Sequence, residues 1–82
     1  MTEREIILRN ALLTALAAQS NPRTEAFLHA KIHAALGTKF SAGEITACFE
    51  RMQGMKFVTG LPNADEVMEW RITSEGRHHL IQ

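Results

Sequence analysis

The chain has 82 residues, and its nine Lys and Arg balance nine Asp and Glu, so that the formal net charge is zero. With 45% hydrophobic and 22% charged residues, the composition is that of a folded globular protein and excludes a disordered or fibrous one. The balanced charge also excludes binding to nucleic acid through overall charge alone, so a DNA-binding surface would have to be a local basic patch. A chain of this length predicts one domain over residues 1–82.

The sequence gives no sign of a membrane segment or of a disulfide. No stretch approaches the roughly 20 apolar residues that a membrane-spanning helix needs, and residues 3–9 carry charges that a secretory signal would not have. We therefore expect a cytoplasmic protein that does not enter membranes. The single cysteine, Cys48, has no partner for an intrachain disulfide, and we expect it to pack in the core.

Residues 2–18 predict the first helix. Thr2 and Glu5 have the spacing of a capping box, in which a threonine hydroxyl and a glutamate satisfy free amides at the start of a helix. The apolar face is broad, because Ile6 and Leu13 widen it beyond a single stripe. A broad face is usually packed on two sides, and we therefore expect a possible homodimer through the first helix.

A second helix follows the break at Asn21 and Pro22. It starts at Pro22 or Thr24 and ends at Leu36, where Gly37 supplies the left-handed conformation that commonly terminates a helix. The apolar residues predicted to face the core are Leu28, Ile32, Ala35 and Leu36, with Phe27 beside them.

Glu25, His29 and His33 lie four residues apart on another face of this second helix. Two histidines at this spacing can share a divalent metal, but a stable site needs further ligands, and only the glutamate is near in sequence. We interpret the three residues as an exposed polar face. The sequence therefore predicts neither a metal site nor a cofactor.

The third helix is the most clearly marked element of the chain. Ser41 and Glu44 again have capping-box spacing, and the helix is expected to end near Gly54. The inner stripe consists of Ile45, Cys48, Phe49 and Met52, and the outermost positions are Gly43, Ala47, Glu50 and Gly54.

After Gly54 the periodicity changes to that of strands. Residues 55–59 are rich in strand-forming side chains, residues 61–65 form a turn cluster that is expected to keep Pro62 outside the ladder, and residues 67–73 alternate with period two. This pattern predicts an antiparallel hairpin with one buried face. The inward residues are Met68, Trp70 and Ile72, and the outward ones are Glu69, Arg71 and Thr73.

A short final helix, capped by Thr73 or Ser74, closes the chain. The fold class is thus mainly α with a small antiparallel β-hairpin. Residues 72–80, ITSEGRHHL, resemble the I/L-T-x-x-G-x-x-x-L ending of MarR-like and PadR-like repressors. This resemblance implies a winged helix-turn-helix, a three-helix core plus a wing, in which residues 41–53 would enter the DNA major groove and residues 59–69 would form the wing.

On this resemblance the chain is expected to be a small DNA-binding protein and a transcriptional regulator with double-stranded DNA as its partner. The residues expected to bind DNA, or a protein partner in its place, are Ser41, Glu44, Thr46, Ala47, Glu50, Arg51 and Gln53, and those expected to contact the DNA backbone are Arg23, Thr24, Lys39 and Lys56.

The alternative is a winged-helix module that binds another protein, as an adaptor or an inhibitor, and does not bind DNA. Among the outward residues of the third helix only Thr46, Arg51 and Gln53 are suited to reading bases. The wing carries Asp65, Glu66 and Glu69, and residues 61–69 contain no basic side chain, so it would be repelled by phosphates. No set of nucleophile, base and metal ligands is visible, and we expect no enzymatic activity and no catalytic residue.

Overall fold

The computed structural model describes residues 2–81 and shows a mainly helical chain with a small antiparallel sheet, in agreement with the predicted fold class at that level. The elements are α1 (Glu3–Ala17), β1 (Arg23–Thr24), α2 (Glu25–Leu36), α3 (Ala42–Gly54), β2 (Val58–Pro62), β3 (Met68–Ile72) and α4 (Ser74–Ile81). Within the described residues no helix combines the length and the apolar character that crossing a membrane requires.

Hydroxyl caps fix the starts of the first three helices. The Oγ1 atom of Thr2 accepts the amide of Glu5 at 3.2 Å, and that of Thr24 accepts the amide of Phe27 at 3.3 Å. Ser41 forms the complete predicted capping box, because its hydroxyl accepts the amide of Glu44 at 3.2 Å while Glu44 Oε1 accepts the amide of Ser41 at 3.1 Å. These side chains are why the helices begin where the sequence predicted.

The sheet has three strands in the order β1-β3-β2, one more than predicted. The additional strand β1 contains two residues, with Arg23 opposite Trp70 and Thr24 opposite Glu69. Two residues are too few to show a period of two, so no periodicity in the sequence indicates this strand. Strand β3 is therefore the central strand, and β2 lies at an edge.

The hairpin differs from its prediction at both ends of β2. Residues 55–57 form a turn, in which Lys56 has a positive φ of 65°, and the strand begins only at Val58. Pro62 ends the strand opposite Met68 and does not lie in the loop. A proline is tolerated there because β2 is an edge strand.

One hydrophobic core joins the helices to the sheet. Leu13, on the broad apolar face of α1, is fully buried. Two predictions about the core were wrong: Ala35 is exposed, and Met68 is 42% exposed although it lies on the core side of the hairpin. Cys48 is only half-buried. The buried hydrophobic residues of the described part are Leu8, Leu12, Leu13, Leu16, Leu28, Ile32, Phe40, Ile45, Phe49, Met52, Val58, Trp70 and Ile72.

The aromatic rings of Phe49 and Trp70 attach α3 to β3, because they stack with centroids 5.0 Å apart. This contact confirms that Trp70 faces inward, and it links the hairpin to α3.

Thr73 and Gly76 explain the C-terminal phrase physically. The Thr73 hydroxyl accepts the amide of Gly76 at 3.1 Å and donates to the carbonyl of Lys56 at 2.6 Å, so Thr73 both caps α4 and holds the base of the hairpin. A Cβ atom at Gly76 would lie 2.3 Å from the carbonyl oxygen of Phe57. A side chain is therefore excluded where α4 crosses the hairpin.

Candidate functional site

The outer face of α3 is exposed, as predicted, but it is chemically plain. Gly43, Ala47, Glu50 and Gly54 all lie at the surface, and Gln53 is exposed beside them. The long polar side chains on this face are Glu50 and Gln53. Base edges are read most often by arginine, lysine, asparagine and glutamine, so the face offers little for direct readout of DNA.

Glu44, on the flank of α3 that faces α1, is bound by Arg4. The guanidinium of Arg4 donates from Nε to Glu44 Oε2 at 2.7 Å and from Nη2 to Glu44 Oε1 at 3.0 Å, which is a bidentate contact. Arg4 also donates to the carbonyl of Lys39, and its Cζ lies 4.4 Å from the centroid of the Phe40 ring. The hydrogen bond from Arg4, followed by that from the amide of Ser41, lowers the pKa of Glu44 to about 2.

Arg51 and Thr46 are also engaged within the chain. Arg51 forms an ion pair with Glu5 of α1, and the Thr46 hydroxyl donates to Glu25 Oε2 of α2 at 3.2 Å. The predicted reader Arg51 is thus held by a carboxylate on its own protein. Together with Glu44, three of the seven residues predicted to bind DNA or a protein partner make side-chain contacts to other helices.

A groove of about 160 Å³ runs between α1 and α3. We call it the α1–α3 groove. Its apolar lining residues are Leu8, Phe40, Ala47, Cys48, Met52 and Met55, and its charged lining residues are Arg4, Glu5, Arg9, Glu44 and Arg51. The sequence did not reveal it, because which residues of α1 meet which residues of α3 depends on how the two helices are aligned in space.

Cys48 lies in this groove without the character of a nucleophile. Burial raises the pKa of its thiol to about 11. The thiolate is the reactive form of cysteine, so an elevated pKa leaves Cys48 mainly as an apolar lining residue.

The four residues predicted to contact the DNA backbone divide into two pairs. Arg23 and Thr24 form β1, where Arg23 Nε donates to Gln19 Oε1 at 3.0 Å and Thr24 caps α2, so both have structural contacts. Lys39 and Lys56 are exposed and lie just before and just after α3. The structure therefore shows two exposed lysines near the two ends of α3, and two further residues that are engaged within the chain.

The far end of the hairpin, residues 61–68, is a second surface of mixed character, and we call it the distal hairpin. Leu61 is 61% exposed, Val67 48% and Met68 42%. Asp65 and Glu66 lie in the turn, and neither makes an ion pair with any of the residues that the structure describes.

Asn63 holds that turn in one conformation. Its Oδ1 accepts the amides of Asp65 at 2.8 Å and of Val67 at 3.1 Å, and Glu66 takes a positive φ of 61°. Such side-chain to backbone bonds are typical of ordered turns, so the acidic residues project from a defined structure.

No group of three or more His, Cys, Asp or Glu side chains among residues 2–81 is arranged to hold a metal ion. Comparisons with protein families, with curated proteins and with solved structures found no match to this chain. The candidate surfaces are therefore defined by their geometry and charge: the outer face of α3 with its two flanking lysines, the α1–α3 groove, and the distal hairpin.

Proposed function

We propose that the chain is a winged-helix domain that binds another protein through α3 and the α1–α3 groove. Three helices, a hairpin anchored to them by Trp70, and a closing helix support the winged-helix assignment. The proposed function is that of an interaction module, such as an adaptor or an inhibitor, and involves no chemical reaction.

The observation that carries this proposal is that charged side chains of α3 form ion pairs with α1 of the same chain. Arg51 would have to leave Glu5 before it could contact DNA, and the exposed Glu50 would still be repelled by phosphates. The distal hairpin adds Asp65 and Glu66, which form no ion pair with any residue in the described part of the chain. A surface with this charge pattern favours a protein partner over a polyanion.

The groove fits an apolar side chain carried on a partner helix. A cavity of roughly 150 Å³ in another protein accommodates a benzene molecule, so about 160 Å³ is enough for one large aliphatic or aromatic side chain. Met52 and Met55 can adapt their shape to it. The small residues Gly43 and Ala47 beside the groove allow the backbone of the partner helix to approach α3 closely.

DNA binding is the second candidate, and the two lysines that flank α3 are the observation in its favour. Lys39 and Lys56 are both exposed, at the two ends of a 13-residue helix. Contacts to phosphates position DNA-binding domains, and lysines about 20 Å apart, from a rise of 1.5 Å per residue, could contact phosphates on either side of a groove.

A titration with duplex DNA at low salt separates the two functions. A protein module is expected to show no binding to a random duplex at micromolar protein concentration. The proposal is wrong if binding appears, weakens steeply with salt and is lost in the double variant Lys39→Ala and Lys56→Ala, because that combination is the signature of phosphate contacts.

The groove itself is tested with a displayed library of amphipathic helical peptides. Selection on the full chain should enrich peptides with one large apolar anchor residue, and Ala47→Arg should weaken their binding by about tenfold or more by blocking the groove. Ala30→Arg, the same change at an exposed position of α2, is the matched control and should leave binding unchanged. Equal effects of the two substitutions, or no enrichment, would contradict docking in the groove.

A further inference from the structure

The outer edge of β2 is the longest free strand edge in the part of the chain that the structure describes. Strand β3 is paired on both sides, whereas β2 is paired with β3 alone. β2 has five residues and β1 at the opposite edge has two. Free edges carry unpaired N–H and C=O groups that can bind another strand.

The register of the hairpin shows which groups are free. The Thr73 amide donates to the Phe57 carbonyl at 3.0 Å, and the Asn63 amide donates to the Val67 carbonyl at 2.9 Å. In an antiparallel pair, residues that bond to the partner strand alternate with residues that do not. Odd positions from 57 to 63 therefore bond to β3, and the even residues Val58, Gly60 and Pro62 direct their backbone groups to the free edge.

We propose that a second copy of this chain pairs with this edge, antiparallel and centred on Gly60, to form a homodimer with one continuous sheet. In this register Gly60 exchanges two hydrogen bonds with Gly60 of the second copy. The amide of Val58 donates to the carbonyl of Pro62 of the second copy, and the reverse bond forms by symmetry. Pro62 lacks an amide, so the carbonyl of Val58 receives no bond from it, and four hydrogen bonds join the two strands.

The charges of the hairpin favour this register. Pairing around Gly60 brings the start of β2, which follows Lys56, beside the end of β2 in the second copy, which precedes its Asp65 and Glu66. Within one chain, these residues are separated by the length of β2, about 20 Å at 3.3 Å per residue, which is more than twice the screening length of about 8 Å at physiological salt. Lys56 makes no ion pair within residues 2–81, and neither do the two acidic residues. In the dimer, Lys56 of each chain lies near the two acidic residues of the other chain.

The geometry also limits assembly to two chains. An isologous two-fold contact uses each β2 edge once, and the opposite edge of the sheet offers only the two residues of β1. Leu61, a residue of β2 that is 61% exposed, would lose contact with water on pairing. This interface differs from the one expected through α1, where Leu13 is buried within its own chain and Ile6 is 38% exposed. It does not use the α1–α3 groove and is independent of the proposed function.

Sedimentation of the full chain over a range of concentrations tests the proposal. The wild-type protein should show a reversible monomer–dimer equilibrium. Two paired five-residue strands form a smaller interface than a standard one, so we expect weak association, with dimer predominating only as the concentration approaches millimolar. Lys56→Glu and Glu66→Lys should each weaken dimerisation by about tenfold, because each replaces two attractive contacts by repulsive ones. The double variant, Lys56→Glu with Glu66→Lys, should restore it.

Lys39→Glu is the matched control for charge, since Lys39 is also an exposed lysine but lies away from the hairpin. It should leave the dimer unchanged. A wild-type protein that stays monomeric at millimolar concentration overturns the proposal, as does a double variant that dimerises no better than the two single variants.

Amide hydrogen exchange provides a readout that needs no substitution. Protection of the amides of Val58 and Gly60 should rise with protein concentration, whereas the amides of Thr59 and Leu61, already bonded to β3, should be protected at every concentration. Concentration-independent exchange at Val58 and Gly60, in samples that sedimentation shows to contain dimer, would place the interface elsewhere and overturn the proposal.

Discussion

The contact between α1 and α3 and the distal hairpin both combine apolar and charged side chains at the surface, but they use them differently. Between α1 and α3 each of the carboxylates Glu5 and Glu44 has a guanidinium partner from the other helix. In the distal hairpin Asp65 and Glu66 have no ionic partner among residues 2–81, and Leu61 is the most exposed of the large hydrophobic residues.

This difference decides what each surface can select. Charges that are already paired add little further attraction, so the α1–α3 groove discriminates mainly by shape. Unpaired charges must find their partner in another molecule, so the distal hairpin discriminates by sign of charge. A residue such as Arg51 that looks in the sequence like a binding group can therefore be part of the protein's own packing.

The largest expected contrast is in stability. Met52→Ala removes a side chain with 0% exposure from the floor of the groove and should lower the free energy of unfolding by about 2–5 kcal/mol. Leu61→Ser, in the distal hairpin, should change it by less than about 0.5 kcal/mol. Urea denaturation measures both. A loss for Leu61→Ser comparable to that for Met52→Ala would show that the distal hairpin is part of the core.

Gly76→Ala tests how tightly α4 packs against the base of the hairpin. The new Cβ would collide with the Phe57 carbonyl, which is backbone and cannot rotate away, so we expect a loss of about 1–3 kcal/mol in the free energy of unfolding. Gly54→Ala is the matched control, because a Cβ there has no neighbour within 4 Å. Thermal unfolding of the two variants should differ clearly, and equal stabilities would refute the tight crossing at Gly76.

The smallest effect should be a change in the pH dependence of unfolding. Because the pKa of Glu44 in the folded protein is lowered to about 2, its contribution is fully present above its ordinary value of about 4.5 and is lost as the pH falls towards 2. Glu44→Gln keeps a capping side chain but removes the charge. The variant should be less stable than the wild type at pH 7, and the two curves should converge near pH 2. Parallel curves in denaturant titrations would contradict the role of the ion pair with Arg4.

Local chemistry explains what the sequence predicted well. The starts of α1, α2 and α3 depend on Thr2, Thr24 and Ser41, each of which acts on an amide three residues later. The inner positions of β3 followed from its alternation, and Trp70 and Ile72 are buried accordingly. Met68 departs from the pattern because the hairpin extends beyond the core.

Features that depend on distant residues could not be predicted in the same way. Arg4 and Glu44 are 40 positions apart, and Glu5 and Arg51 are 46 apart. Their pairing follows from how α1 lies against α3, which no periodicity encodes. The α1–α3 groove could not be predicted because it also depends on this packing. For the same reason Glu44 and Arg51 appeared free to bind DNA when only the sequence of α3 was considered.

Thr73 has a consequence for how the protein opens and closes. Its amide donates to the carbonyl of Phe57 and its hydroxyl donates to that of Lys56. Thr73, which follows β3, is thus hydrogen-bonded to the two residues that precede β2, and it also caps α4. Loss of these hydrogen bonds would free both β2 and α4 at the same time. We therefore expect residues 56–80 to open as one cooperative unit, with amides on both sides of Thr73 exchanging hydrogen at a common rate and with a common free energy.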